Sequence, residues 1–129
     1  MPVADIIEEK FKSHPEARYS RDGSSITVQS KEAHGFPVSY SFNDGRHAVS
    51  YLGWHEEFED QDEALDCFAF GLSKKCRLQV WKKGHFPYKW VVEVKDSEGN
   101  WKEDSRTGLL LFPYWKGTTI TSLQNDLMK

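Results

Sequence analysis

The sequence predicts an α+β fold, an antiparallel sheet with helices mainly on one face, organised as two α-β-β-β units. Three observations predict it. Short stretches alternate apolar and polar residues with period two, as half-buried strands do. Turn signals rich in Asp, Asn and Gly separate them. Two other stretches carry apolar residues at helical spacing instead.

The first helix is expected over Pro2 to Lys12, where Pro2 suits a helix start and Val3, Ile7 and Phe11 share a face. Pro15 lies just beyond its end, and the polar segment from Glu16 to Ser25 reads as loop. Ile26 and Val28 alternate with Thr27 and Gln29, a first strand. Val38, Tyr40 and Phe42 alternate with Ser39 and Ser41, a second. "NDGR", Asn43 to Arg46, is a hairpin turn because Asp and Gly tolerate positive φ, and His47 to Gly53 forms its return strand.

The second helix follows in "EDQDEALDCFAFGL", with Asp60 or Asp62 as cap and an acidic first turn suited to the helix dipole. Cys76, Leu78 and Val80 then alternate with Arg77, Gln79 and Trp81. Trp90, Val92 and Val94 alternate with Lys89, Val91 and Glu93. "DSEGN", Asp96 to Asn100, is a second turn, and Trp101 to Asp104 a candidate partner strand. "GLLLFPYW" reads as a further strand, and "TTITSLQNDLM" as a terminal helix.

A shift of fifty positions lays one half on the other. "HGFPVSY", His34 to Tyr40, falls on "GHFPYKW", Gly84 to Trp90, with Phe36-Pro37 over Phe86-Pro87. The strands before each Phe-Pro agree in parity. A proline at a strand entry forfeits no ladder bond and keeps the preceding residue extended. Residues 1–129 therefore read as a single domain with sub-repeats 2–54 and 60–115. A third Phe-Pro, Phe112-Pro113, lies outside this register.

The chain has 129 residues, enough to bury a core without covalent staples. Its formal net charge is −3, which argues against a general nucleic-acid or anionic-membrane binder. No apolar run is long enough to span a bilayer and the N-terminal stretch has no leader pattern. Two cysteines, Cys67 and Cys76, make no disulfide framework and are expected as reduced thiols in a cytoplasmic protein. The first half shares the element order α-β-β-β-α with double-stranded-RNA-binding domains. Those domains grip phosphates with a basic start to their second helix, whereas the matching stretch here is the acidic "FEDQDEALD".

One stretch concentrates cations and aromatics: "KKCRLQVWKKGHFPYKW", Lys74 to Trp90. Arg77, Trp81, Lys82, Lys83, His85 and Lys89 are the candidate binding residues, with Trp81 expected on the exposed face. The expected function is noncatalytic binding of another protein, or of a second copy as a homodimer, through this basic-aromatic hairpin. Cations would steer the encounter and aromatics would be buried in it. The acidic run from His55 to Asp66 supplies a patch of opposite sign. One alternative is single-stranded nucleic-acid binding by the same hairpin, since base stacking and phosphate contacts use these residue types. Another is a small enzyme or ligand binder with a cleft between His34 and His85, which occupy matching places in the two halves. No catalytic residue, metal ligand or cofactor is assigned. The acidic run fits no calcium-loop or zinc spacing, and no phosphate loop or nucleophile elbow is present.

Overall fold

The structure is a computed structural model that describes residues 2–30, 33–111 and 113–126. The fold is α+β, and its strands divide into two antiparallel sheets, one of five strands and one of four. Helix α1 spans Val3–Phe11 and buries Val3, Ala4, Ile7 and Phe11. The first sheet is a simple meander in the order β1 (Arg18–Asp22), β2 (Ser25–Gln29), β3 (Val38–Asn43), β4 (Arg46–Tyr51), β5 (Trp54–Phe58). Helix α2, Gln61–Gly71, follows. The second sheet has the order β8 (Trp101–Gly108), β7 (Phe86–Lys95), β6 (Cys76–Lys83), β9 (Thr118–Leu123), so the last strand returns past the hairpin to pair with β6.

Period-two alternation decides which face of each strand is buried. Ile26, Val28, Val38, Tyr40, Val49 and Tyr51 point inward from the first sheet, and Cys76, Leu78, Val80 and Val92 from the second. These join residues of both helices in a single apolar cluster. Small polar residues occupy the outer side of the first sheet, where Thr27 and Ser39 hydroxyls meet at 3.0 Å. Helix α2 contacts β3, β4 and β5 of one sheet and β6 of the other. The sheets also touch directly, through an indole N–H of Trp54 donated to the Ser105 hydroxyl at 2.9 Å.

Several segments depart from the sequence reading. Residues 18–22, expected as loop, form the edge strand β1, and the expected strand from His47 to Gly53 stops at Tyr51 and doubles back as β5. Strand β1 is exposed along its whole length, and β5 is exposed between buried Trp54 and half-buried Phe58, so neither shows a run of apolar alternation. "TTITSL" is strand β9 rather than helix, consistent with its β-branched run. Strand β8 reaches Gly108, and the described residues of the apolar stretch after it, 109–111 and 113–115, form no strand. The third Phe-Pro has its Phe112 outside the described residues.

The turns show where backbone chemistry was decisive. Asp44 (φ 51°) and Gly45 (φ 77°) both lie at positive φ, as a two-residue type I′ hairpin requires. At the β4–β5 turn the pair is Leu52-Gly53, and it is Leu52 that takes the positive φ, 56°. Gly53 is needed for a different reason: a Cβ there would sit 2.2 Å from the Trp90 ring.

The fifty-residue shift carries β2 onto β6 and β3 onto β7, but their pairings differ. Tyr40 faces Ile26, whereas Trp90 faces Val80, four positions beyond the residue that matches Ile26. Residues 30–37 lie between β2 and β3, whereas only the turn Gly84-His85 separates β6 from β7.

Candidate functional site

Strand alternation divides the basic-aromatic hairpin between two faces. Arg77 and Trp81 lie on the outer face of β6. The Arg77 guanidinium reaches Glu93 at 2.7 Å and lies 4.5 Å from the centre of the Trp101 ring. Lys89, opposite Trp81 across the β6–β7 ladder, places its ammonium 3.9 Å from the centre of the Trp81 ring. Trp81 is therefore half-buried beneath a lysine, not the open platform expected, and its buried indole N–H has no hydrogen-bond partner among the described residues. Arg77, Trp81 and Lys89 are thus engaged with neighbours along the strands.

The other three sit at the far end of the hairpin. Lys83 donates to the Thr118 hydroxyl at 2.5 Å. His85 is exposed in the turn. A bulge between Trp81 and Lys82 shifts the ladder there. Lys82 keeps the parity of Val80 and lines a cleft on the inner side of the sheet with it. The Lys82 ammonium has no hydrogen bond or ion pair with another described residue.

Sequence reasoning underrated what lies beside this turn. The segment 109–117 is fastened to the hairpin at both ends, by Leu109 N–H to the Tyr88 carbonyl (2.8 Å) and Gly84 N–H to the Gly117 carbonyl (2.9 Å). Between these anchors Leu110 is 96% exposed, Leu111 86%, Tyr114 74% and Trp115 73%. The Tyr114 and Trp115 rings meet edge to face at 5.4 Å. Ile120 and Phe86 nearby are also exposed. The composition of "LLLFPYW" was a visible signal. An apolar run is ordinarily a cue for burial, so it was read as a strand.

The histidines do not converge. The carbonyl of His34 accepts from Gln124 N–H, and the Gln124 side chain donates to the Lys74 carbonyl just before β6 begins. His85 follows the other end of β6. Eight strand residues separate these ends, roughly 25 Å at strand rise. His34 and His85 therefore cannot form one acid-base pair. His47 is buried in β4 with its Nδ1 2.6 Å from the Tyr40 hydroxyl, and desolvation raises that phenol to about 12. Burial pushes the Cys67 thiol up to about 11 and raises Cys76 as well. Both thiols are free, and raised values keep them protonated and weakly nucleophilic.

The acidic run folds as β5 and the start of α2. Asp60 caps the helix, its carboxylate accepting from Asp62 N–H at 3.0 Å, and Arg46 reaches Glu57 at 3.4 Å. Among the described residues, no group of three or more His, Cys, Asp or Glu side chains is placed to hold a metal ion. No helix among them is long and apolar enough to cross a membrane. No family model, curated protein or solved structure matches the chain.

Proposed function

We propose that the protein is a noncatalytic binding module whose partner is another protein. Its contact surface would be the open end of the second sheet, the β6–β7 turn together with segment 109–117. The observation that carries this reading is the exposure of Leu110, Leu111, Tyr114 and Trp115 in one anchored segment. Leaving such side chains in water forgoes about 1.5–3 kcal/mol of burial each, and contiguous apolar patches mark interaction surfaces. Tyr and Trp are frequent anchors of interfaces. Lys83, bonded to Thr118, and Lys116, beside Gly84, add cations at this end of the sheet that favour an acidic partner.

Arg77 and Lys89 stiffen the hairpin through Glu93, Trp101 and Trp81, and contribute less to contact than the sequence suggested. The same coverage of Trp81 disfavours base stacking and ranks the single-stranded nucleic-acid reading second. A second copy of the chain is one candidate partner, since Glu56, Glu57, Glu59, Asp62 and Glu63 are exposed on β5 and around the start of α2. The reading of the chain as two related units is supported by helix-then-antiparallel-strand order in each half. It does not extend to the pairing register.

The test replaces Trp115 with a photo-crosslinking phenylalanine analogue, identifies the captured protein, and reconstitutes the pair from purified components. Leu111→Asp should weaken that complex about thirtyfold, the loss of one hot spot. Sedimentation velocity at rising concentration detects self-association. A reconstituted complex indifferent to both Leu111→Asp and Lys83→Glu would overturn this surface.

A further inference from the structure

We propose that a cleft between the two sheets, separate from the exposed segment, binds a small amphipathic acid such as an acyl or aryl carboxylate. Its tail would lie among Val80, Pro87, Trp90 and Leu123, and its carboxylate would meet Lys82. The cleft is an open groove of about 550 Å³, within the size range of small-ligand sites.

Three independent features converge there. The first is polarity. The walls are mainly apolar, and the one charged group among them is Lys82, whose ammonium has no ion pair or hydrogen bond with another described residue. Lys82 is half-buried near the end of its strand, beside Val80, and its ammonium has no counter-ion among the described residues. An anionic headgroup supplies that counter-ion, and a charge-assisted bond to it is of the stronger kind.

The second feature is rigidity. The β4–β5 turn rests on the Trp90 ring so closely that Gly53 has no room for a side chain. One wall is thus fixed against another before any ligand arrives, which lowers the ordering cost of binding. The third is strain. Leu52 holds a positive φ at the rim with its side chain half in water. The turn Gly84-His85 also has positive φ at its first residue alone, and glycine fills that place. A leucine there costs about 1–2 kcal/mol and covers only about half of its side chain in the free protein. Residues held in this way concentrate at ligand sites. Closing the Leu52 side chain over a bound tail would return that energy.

The experiment is a two-dimensional amide NMR titration of the whole protein with dodecanoate, dodecanol and dodecyltrimethylammonium, each below its micellar concentration. Saturable shifts are expected at the Gly53 and Thr121 amides and the Trp90 indole N–H. Dodecanoate should bind about tenfold tighter than either of the others, as one charge-assisted contact requires. Lys82→Met should erase that preference. Thr121→Trp, at an exposed position on the rim, should block all three ligands. Leu111→Asp should leave the titration unchanged, so failure at the cleft and failure at the exposed segment are read separately. Shifts confined to residues 109–117, equal affinity for the three amphiphiles, or no saturable shift would each overturn the proposal.

Discussion

His34-Gly35-Phe36-Pro37 and Gly84-His85-Phe86-Pro87 are near-anagrams, and the molecule uses them in opposite ways. Phe36 is 1% exposed and packs against Tyr51 with ring centres 5.5 Å apart. Phe86 is 43% exposed at the tip of a hairpin. The order of Gly and His explains the difference. Gly84 occupies the first place of a two-residue turn at φ 63°, so the chain reverses there and Phe86 begins the return strand at the edge of the core. Gly35 sits one position later in the motif, and it is required for space. A Cβ on it would fall 1.8 Å from the Ser30 hydroxyl and 2.6 Å from Oδ1 of Asn125. That close approach lets Asn125 accept from Phe36 N–H and donate to the carbonyls of Phe36 and Gly71, all at 2.9–3.0 Å. Composition alone does not define a motif; the residue that frees the backbone must stand where the chain needs it.

The sharpest way to break this contrast is truncation of the two phenylalanines. Phe36→Ala should cost about 3–5 kcal/mol in urea unfolding, as buried aromatic deletions do, and Phe86→Ala within about 0.5 kcal/mol of nothing. Equal losses would mean that both motifs are core anchors. Next in size is the glycine pair. Gly35→Ala should cost about 2 kcal/mol by displacing the Asn125 amide from buried backbone partners. Gly84→Ala should cost about 1 kcal/mol for positive φ alone, because the nearest atom, Lys116 Cδ at 2.9 Å, belongs to a flexible side chain.

A smaller change should run the other way. Leu52→Gly relieves positive φ and should raise stability by roughly 0.5–1 kcal/mol after the added entropy of the unfolded chain. A loss instead would show that the Leu52 side chain already contributes to packing. The gentlest probe is alkali. The unfolded Cys67 thiol ionises near 9 and the folded one near 11, so the unfolded state releases its proton first and stability falls as pH rises through that window. Tyr40, raised from 10 to about 12, extends the fall. Amide exchange should accelerate around Phe36 and Tyr51 before it does in the turn at Gly84; simultaneous loosening of both regions would contradict this.

Much of the fold was legible because local signals agreed with burial. Val3, Ile7 and Phe11 form a helix face, Asp60 caps the second helix, and Asp44-Gly45 makes its hairpin. Strands β1 and β5 were missed because an edge strand needs no apolar alternation when its outer groups meet water. Strand β9 was missed because Thr118–Leu123 pairs with β6 over a long sequence separation, which no local pattern encodes. The candidate site was half legible. Lys82 and Lys83 stand at the end of the hairpin as expected, but cation-aromatic stacking removes Trp81 and Lys89 from it. Residues 109–117 were visible as an apolar run, and their exposure was not, since hydrophobicity reports a preference for burial and gives no partner.

The amide of Asn125 also sets a timetable. Its partner Phe36 lies 89 positions earlier, and β9 just before it closes the second sheet against β6. During synthesis the loop entering β3 emerges long before the side chain that satisfies it. The early meander must therefore wait, incompletely fastened, until Asn125, 89 residues after Phe36, has left the ribosome. Contacts of such long span are slow to form and leave strands unprotected in the interval. Expression yield should accordingly depend on chaperone supply more steeply than the modest size of the chain suggests.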